Sequence, residues 1–442
     1  MKRKTLLTLL ISLCLVTVLV IPFMAACAPT APTGPTGPTE PTAPTGTPII
    51  LGAPLSLGYP DGICTRDNLK LAVDEINGKG GVNVGGVMHP FQLEVMDTRD
   101  LEPGVPTSES LLVAEKLILD KRANFIVGGP IRSEAALATM DLVSKYRTVT
   151  VWSSGFLSPA MNPKVADKYD TYKYCFRTQG YSTPIVNESV AILESLRATQ
   201  GFNKAFIMVQ DVVHAKGAGN AVKPALEKLG WTVIGPELYP SGTTDFSVGI
   251  LKAKDAKAQV LYMWFDMPEA SILMKQIYDM QLPVLVVGFV VAGQDSNAWK
   301  ALDGKCAYLV NNFPKAGVAP SDSIPLAAQY IALHTSKFGT PPGLTWVAPV
   351  SYQVVYILKD AIERAGSYDN PDAMITALEK TDMQGVYGRI RFDAKNHQIV
   401  YSMDPAEGAV TTWVQWVNGK MVAVYPPLIA TNPIVLPPWM KK

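Results

Sequence analysis

The feature that most constrains this chain is a repeated unit in which a short, wholly apolar run ends in a glycine-rich loop and passes into a helix. Its first copy spans residues 48–81. Ile49, Ile50 and Leu51 form an apolar run that Gly52 is expected to end. A loop with Gly58, Pro60 and Gly62 then leads into a helix with Leu69, Ala72, Val73 and Ile76 at i, i+3, i+4, i+7 spacing. Asp67 lies near its positive end and Gly78 stops it. An apolar run without alternation is how a strand buried on both faces of a parallel sheet reads. A loop between such a strand's carboxyl end and a helix N-terminus is where open α/β sheets bind ligands.

The unit recurs. Phe91 to Met96 alternates and breaks at Asp97-Thr98-Arg99-Asp100, and Leu111, Leu112, Glu115 and Ile118 fall at helical spacing. Phe125-Ile126-Val127 runs into Gly128-Gly129-Pro130, Ser133 to Lys145 reads as a helix, and Val149 to Trp152 ends in Ser153-Ser154-Gly155. Four repeats predict an α/β fold with a doubly wound parallel sheet. After Tyr174 to Thr178 the pattern restarts. Strands at 205–209, 231–234, 260–264 and 284–287 alternate with helices near 217–229, 245–254 and 268–280, which predicts a second α/β lobe. Leu309 to Phe313 is expected to return to the first lobe, which receives helices near 323–337 and 347–365. The expected division is lobe 1 from 48–178 plus 311–386, lobe 2 from 179–310 plus 387–425, and a tail over 426–442. Trp413 to Val417 and Met421 to Val424 flank Asn418-Gly419, whose positive φ angles suit a two-residue hairpin turn.

The first 26 residues read as an export signal: Lys2, Arg3 and Lys4 precede an apolar run from Leu6 to Phe23 that ends in small residues. Met24-Ala25-Ala26-Cys27 resembles the lipobox of bacterial lipoproteins, with Met24 in place of the usual leucine, which implies lipidation of Cys27. The alternative is an ordinary signal peptide cleaved near Ala26. Residues 28–47 are a Pro/Thr/Gly spacer with no core-forming residues; at about 3 Å per residue it reaches some 60 Å. The chain carries 39 basic and 38 acidic residues; removing Lys2, Arg3 and Lys4 leaves 36 against 38, a net charge of −2, which argues against a nucleic-acid partner. Cys64, Cys175 and Cys306 leave at least one thiol unpaired within the chain, and none forms a CxxC pair. The four histidines lack metal spacing, and no GxSxG, GxxxxGK or HExxH motif is present, so neither an enzyme nor a cofactor or metal is expected.

Gly52-Ala53-Pro54-Leu55-Ser56-Leu57-Gly58, Leu71-Ala72-Val73-Asp74-Glu75-Ile76-Asn77-Gly78-Lys79-Gly80-Gly81-Val82, Phe176-Arg177-Thr178 and Gly388-Arg389-Ile390-Arg391-Phe392-Asp393 resemble the type 1 periplasmic binding proteins of the branched-chain amino-acid class. The likeness extends over about residues 48–425. It implies a hinged two-lobed flytrap outside the cytoplasm, lipid-anchored to the envelope membrane. Such a protein takes a small amino acid or carboxylate-bearing solute and hands it to an ABC permease and its ATPase. The rival is a flytrap reporting its solute to a membrane receptor.

The resemblance implies an anion subsite in the loops Ile131–Ser133 and Ser153–Phe156, with Ser133, Ser153 and Ser154 as donors. It also marks departures: Val290 stands where amino-acid binders often carry an acid, Ala215 beside His214 where a tyrosine is usual, and Asp61 where an aromatic is usual, with Tyr59 two residues earlier. Arg132 is either a bidentate anion clamp or an outward arginine paired with Glu134 or Asp141. Asp266 either faces the cleft, to hold an amine or hydroxyl, or caps the loop before Pro268. Trp152, Phe156 and Trp264 are pocket walls or core aromatics, Trp152 sitting inside a strand. His214 is a ligand contact or a solvent-facing loop histidine.

Overall fold

The computed structural model describes residues 43–313, 321–344 and 346–440; the export signal, Cys27 and most of the spacer lie outside them. Pro41–Lys442 forms one compact unit built on two sheets.

The first sheet is assembled in chain order from β1 (Ile49–Leu55), α1 (Pro60–Gly78), a hairpin of β2 (Val82–Val84) and β3 (Val87–His89), β4 (Phe91–Asp97), α2 (Thr107–Leu119), β5 (Phe125–Gly128), α3 (Ser133–Tyr146), β6 (Thr150–Trp152), α4 (Met161–Asp167), α5 (Tyr169–Tyr172) and β7 (Cys175–Arg177). Its order is β4-β1-β5-β6-β7, all parallel. Gly52 does not end β1. A Cβ there would stand 2.9 Å from Ala123 Cβ and 3.2 Å from Leu117 Cβ, so the glycine admits the neighbouring segment and α2 to the strand. The same close approach turns α2: it buries Ser110, Ala114 and Leu117, while Leu112, expected inward, is exposed. Helix α1 starts at Pro60, well before the predicted Leu69 stripe, because proline is well suited to a helix's first position. Asp61 therefore lies in its first turn, and Asp67 within the helix.

The second sheet follows from α6 (Ser182–Gln200), β8 (Lys204–Gln210), α7 (Val213–Lys228), β9 (Thr232–Tyr239), α8 (Ser247–Asp255), β10 (Val260–Phe265), α9 (Ala270–Asp279), β11 (Leu285–Val290), α10 (Ala298–Ala301) and β12 (Val310–Phe313). Every residue of β10 and β11 is buried, as a central parallel strand requires. Strand β12 does not return to the first lobe; it pairs parallel with β11. The chain goes back only afterwards, through α11 (Pro325–Phe338), α12 (Ala348–Ala365), α13 (Pro371–Glu379) and the hairpin β13 (Asp382–Gly385) and β14 (Gly388–Arg391). Tyr387, Ile390, Phe392, Ile399 and Ala409, expected in lobe 2, join α1, α12 and α13 in the first lobe's core. The return to the second sheet is made by β15 (Thr412–Val417), antiparallel to β12, and β16 (Lys420–Tyr425). The turn joining them has φ of 49° at Asn418 and 79° at Gly419, the predicted hairpin geometry.

The described part of the tail, residues 426–440, is tied to the second lobe. Gln415 exchanges hydrogen bonds of 2.8 Å with both backbone groups of Val435, and the Trp439 indole donates to Leu282 O at 2.8 Å.

Candidate functional site

In the first lobe, the carboxyl ends of β1, β5 and β6 bring three loops together. Ser153 and Ser154 donate their N–H groups to Gly128 O, both at 3.0 Å, and Phe156 N–H bonds Ile131 O at 2.8 Å. This contact needs Gly155. Its φ is 63°, and a Cβ would lie 2.1 Å from Ile131 O. Ser133 Oγ accepts from Ser158 N–H at 3.2 Å, and Ser153 Oγ lies 3.4 Å from Ser351 Oγ. Ser154 Oγ is buried without a partner. As at any helix start, the first-turn N–H groups of α3, at Ser133, Glu134 and Ala135, have no intrahelical acceptor.

The neighbouring amides are already used. Asp100 Oδ2 accepts from Ile131 N–H at 2.8 Å and Arg132 N–H at 2.6 Å, and its Oδ1 takes the Thr98 hydroxyl at 2.5 Å. The Arg132 guanidinium turns away, donating to Val105 O at 3.2 Å and Thr107 Oγ1 at 3.4 Å and approaching Glu134 at 3.9 Å. It takes the outward-paired alternative. Phe156 and Trp152 sit 5.2 Å apart in a core with Met161 and Val165, so both are core aromatics.

In the second lobe, His214 stands in the first turn of α7 and Asp266 follows β10. Their side chains form an ion pair at 2.5 Å between Nε2 and Oδ2. Burial alone would lower the His214 pKa; the charge and hydrogen bonding of Asp266, with Glu134 of the first lobe adding to them, outweigh it and raise the imidazole above its ordinary value. Gln210 Oε1 fixes the loop by accepting from the N–H groups of Asp266 at 2.8 Å and Met267 at 3.0 Å. Asp266 Oδ1 remains buried and unpartnered.

An aromatic row backs this pair. Trp264 stacks on Phe289 at 5.2 Å and 30°, His214 meets Trp264 edge-on at 6.5 Å, and Trp346 meets Phe289 at 6.1 Å and 80°. Trp346 comes from the segment between α11 and α12, which carries Leu344, Trp346 and Val347 into the second lobe's core. Gln179 Nε2 holds its carbonyl at 3.0 Å, and Cys64 Sγ reaches Leu344 O at 3.8 Å. The indole N–H groups of Trp264 and Trp346 are both buried with no partner of hydrogen-bond geometry.

Asp61 joins the two rims. Its carboxyl, partly open to solvent but enclosed, is pushed up to about 7, first by burial and then by the negative charge of Asp266, with Asp100 adding to it; its own backbone amide and the Trp346 indole act the other way. A first-lobe carboxylate thus feels a second-lobe one. Tyr59 supplies the extended N-cap backbone of α1, its carbonyl accepting from Ile63 N–H at 3.2 Å.

Behind the first-lobe loops the fully buried Arg177 acts as a rivet where the chain leaves for the second lobe. It donates to Gln398 Oε1 at 2.6 Å, Phe156 O at 2.6 Å, Ser158 O at 2.7 Å and Asn162 Oδ1 at 2.6 Å. Burial beside neutral acceptors lowers its pKa to about 10. Sequence reasoning missed this role and those of Asp100, Phe289 and Trp346. Asp100 had a visible signal, the polar break after β4; the others read as ordinary strand or loop residues. Cys64, Cys175 and Cys306 are free thiols, and no three His, Cys, Asp or Glu among the described residues could hold a metal ion. None of the described helices is long and apolar enough to cross a membrane.

The family model described as periplasmic binding protein matches residues 57–410. The Leu/Ile/Val-binding protein BraC3 of Rhizobium johnstonii is 26% identical over 324 residues, covering 71% of this chain and 78% of that protein. Among solved structures, a branched-chain amino acid ABC transporter protein from Silicibacter pomeroyi superposes with a TM-score of 0.77 at 19% identity, covering 89% of this chain and all of that one. A solute binding protein from R. palustris in complex with 4-hydroxybenzoate superposes with 0.70 at 18% identity, covering 86% and 95%. The chain is thus an extracytoplasmic solute-binding protein, and it belongs to the periplasmic binding protein family in the class that includes the Leu/Ile/Val-binding proteins.

Proposed function

We propose that this protein captures a small solute, of amino-acid size or a small carboxylate, by closing its two lobes, and delivers it to the permease and ATPase of an ABC importer. Relatives bearing Leu/Ile/Val-binding names and a structural neighbour holding 4-hydroxybenzoate support that size range. The observation that carries the reading is a set of buried polar side-chain atoms without a hydrogen-bond partner near the strand ends of the two lobes: Ser154 Oγ in the first, and Trp264 Nε1 and Asp266 Oδ1 in the second. Asp61, whose carboxyl is raised by burial and by the charge of Asp266, supports placing both carboxylates with them. Buried polar groups are normally satisfied, so such a set points to a missing partner.

Within this reading the first turn of α3, Ser133, Ser153 and Ser154 form the first-lobe subsite, and Tyr59, Asp61, His214, Trp264 and Asp266 the facing wall. Arg132 and Phe156 support the loops from outside. Lobe boundaries follow the sheets, with Cys27 as lipid anchor.

The test is a thermal-shift screen of the mature chain against amino acids, carboxylates and amides, because a ligand at 100 times its Kd adds about 2.7 kcal/mol of stability. A shift, with contraction of the particle in small-angle scattering, is expected. A shift that survives Ser133→Ala with Ser153→Ala unchanged removes those residues from the site. Lipid labelling that persists in Cys27→Ser refutes the anchor.

A further inference from the structure

The segment between α11 and α12 leaves the first lobe and returns to it. Tyr330 of α11 donates its hydroxyl to Asn68 Oδ1 of α1 at 2.5 Å, and α12 lays Val354, Ile357 and Leu358 in the first lobe's core. Between these helices, Leu344, Trp346 and Val347 lie in the second lobe's core instead, 5%, 5% and 0% exposed. The Trp346 ring meets Phe289 of β11 at 6.1 Å and 80°, and Phe289 stacks in turn on Trp264. A Cβ on Gly343 would stand 3.1 Å from Asp295 Oδ2, in the loop after β11, so the segment already runs close against the second lobe there.

Its backbone is held from the other side. Leu344 O accepts from Ala348 N–H at 3.0 Å and faces Cys64 Sγ of α1 at 3.8 Å, and Val347 O accepts from Ser351 N–H at 2.9 Å as α12 begins. Trp346 O accepts from Gln179 Nε2 at 3.0 Å. Gln179 is itself fastened to the first lobe, its N–H donating to Trp152 O at 3.4 Å and its carbonyl accepting from Gln398 Nε2 at 3.1 Å. A backbone fastened to one lobe, with side chains sunk in the other, makes a contact that lobe separation must break. The segment then goes with the first lobe, and Leu344, Trp346 and Phe289 lose their cover.

Two effects oppose each other in that contact. Burying an indole and a leucine side chain favours docking in proportion to the apolar area removed from water. The Trp346 N–H, however, is buried without a partner of hydrogen-bond geometry, which offsets part of the gain. An element docked with one unmet donor is released more easily than a fully satisfied core.

We propose, resting on the lobe closure of the reading above, that this segment is a strap: carried on the first lobe, it docks Leu344 and Trp346 against Phe289 as the lobes close, and so biases the solute-free protein towards the closed form. A solute completes a closure that the strap has already favoured, and Trp346 acts as a positioning residue for it.

The test is small-angle scattering of the solute-free mature chain after extensive dialysis. Trp346→Ala, checked for folding by circular dichroism, is expected to raise the radius of gyration as the equilibrium moves about 10-fold or more towards the open form. Trp346→Phe keeps an apolar ring and drops the unpaired N–H, so it is expected to be at least as compact as the wild type. A folded Trp346→Ala chain no larger than the wild type overturns the strap, and so does a Trp346→Phe chain as expanded as the alanine variant. Hydroxyl-radical footprinting of the wild type needs no variant: Leu344 and Trp346 are expected to be protected in the solute-free chain. Labelling of Trp346 as heavy as in the urea-unfolded chain overturns the proposal even if a substitution impairs folding. No solute enters these measurements, so their failure leaves the solute-binding reading to be decided separately by the thermal-shift screen.

Discussion

Replacing Asp61 by asparagine tests whether the cleft holds an unrelieved negative charge. The carboxyl moves from an ordinary 3.8 to about 7 on folding, because burial and the facing Asp266 disfavour its ionised form. Between those values the native state keeps a proton that the unfolded chain has released, so this residue's contribution to stability falls as pH rises through the window. Below about pH 4 both states are protonated and the residue costs nothing. Above about pH 7 the cost is complete. Three pKa units at 1.36 kcal/mol each set a ceiling of about 4 kcal/mol, and water reaching a partly open group reduces it to about 1–2 kcal/mol. Asparagine, close in shape and never charged, removes that cost. Urea unfolding of the ligand-free protein is therefore expected to show Asp61→Asn more stable by about 1–2 kcal/mol at pH 8 and unchanged near pH 4. An equal effect at both pH values, or a loss of stability at pH 8, refutes the reasoning.

Asp266→Asn is expected to lower the His214 titration midpoint below the ordinary histidine value, since burial is left without its opposing charge; proton NMR of the imidazole reads this directly, and an unmoved midpoint contradicts the ion pair. Gly155→Ala forces a Cβ to 2.1 Å from Ile131 O at a left-handed φ, and a loss of about 2 kcal/mol or more is expected by urea titration, together with solute binding. Arg177→Met strands Gln398 Oε1, Phe156 O, Ser158 O and Asn162 Oδ1 at about 1–3 kcal/mol each. A combined loss of about 4 kcal/mol or more by the same method is expected, and a neutral result removes the rivet.

The sheets were legible because strands buried on both faces admit only apolar residues, and the runs at Phe125 and Val260 have no other use. Edges were less so. Gly52 looks the same whether it ends a strand or admits a helix, and only the nearness of Ala123 and Leu117 separates the two. The lobe assignment of β12 failed because a four-residue strand, Val-Asn-Asn-Phe, is too short to select a sheet, and one of its partners, β15, lies about a hundred residues away. At the candidate site, loop chemistry pointed to Ser133, Ser153, His214 and Asp266, and the structure places them where helices begin or strands end. Trp346 was not legible as a site residue, and Asp100 showed only as part of the polar break after β4, because what gives them meaning is a contact from another part of the chain: Asp100 with the amides of Ile131 and Arg132, and Trp346 with Phe289.

Strand β12 pairs with β15 at Val310↔Gln415, so one edge of β12 is covered only by residues made about a hundred positions later. Until those residues emerge, β12 presents an unpaired edge, the kind of surface that invites aggregation. Chains grow from the amino terminus at about 5–20 residues per second, which leaves that edge open for several seconds at least. A cell producing this protein therefore has a strong reason to keep the nascent chain unfolded, or held by a chaperone, until β15 and β16 are available.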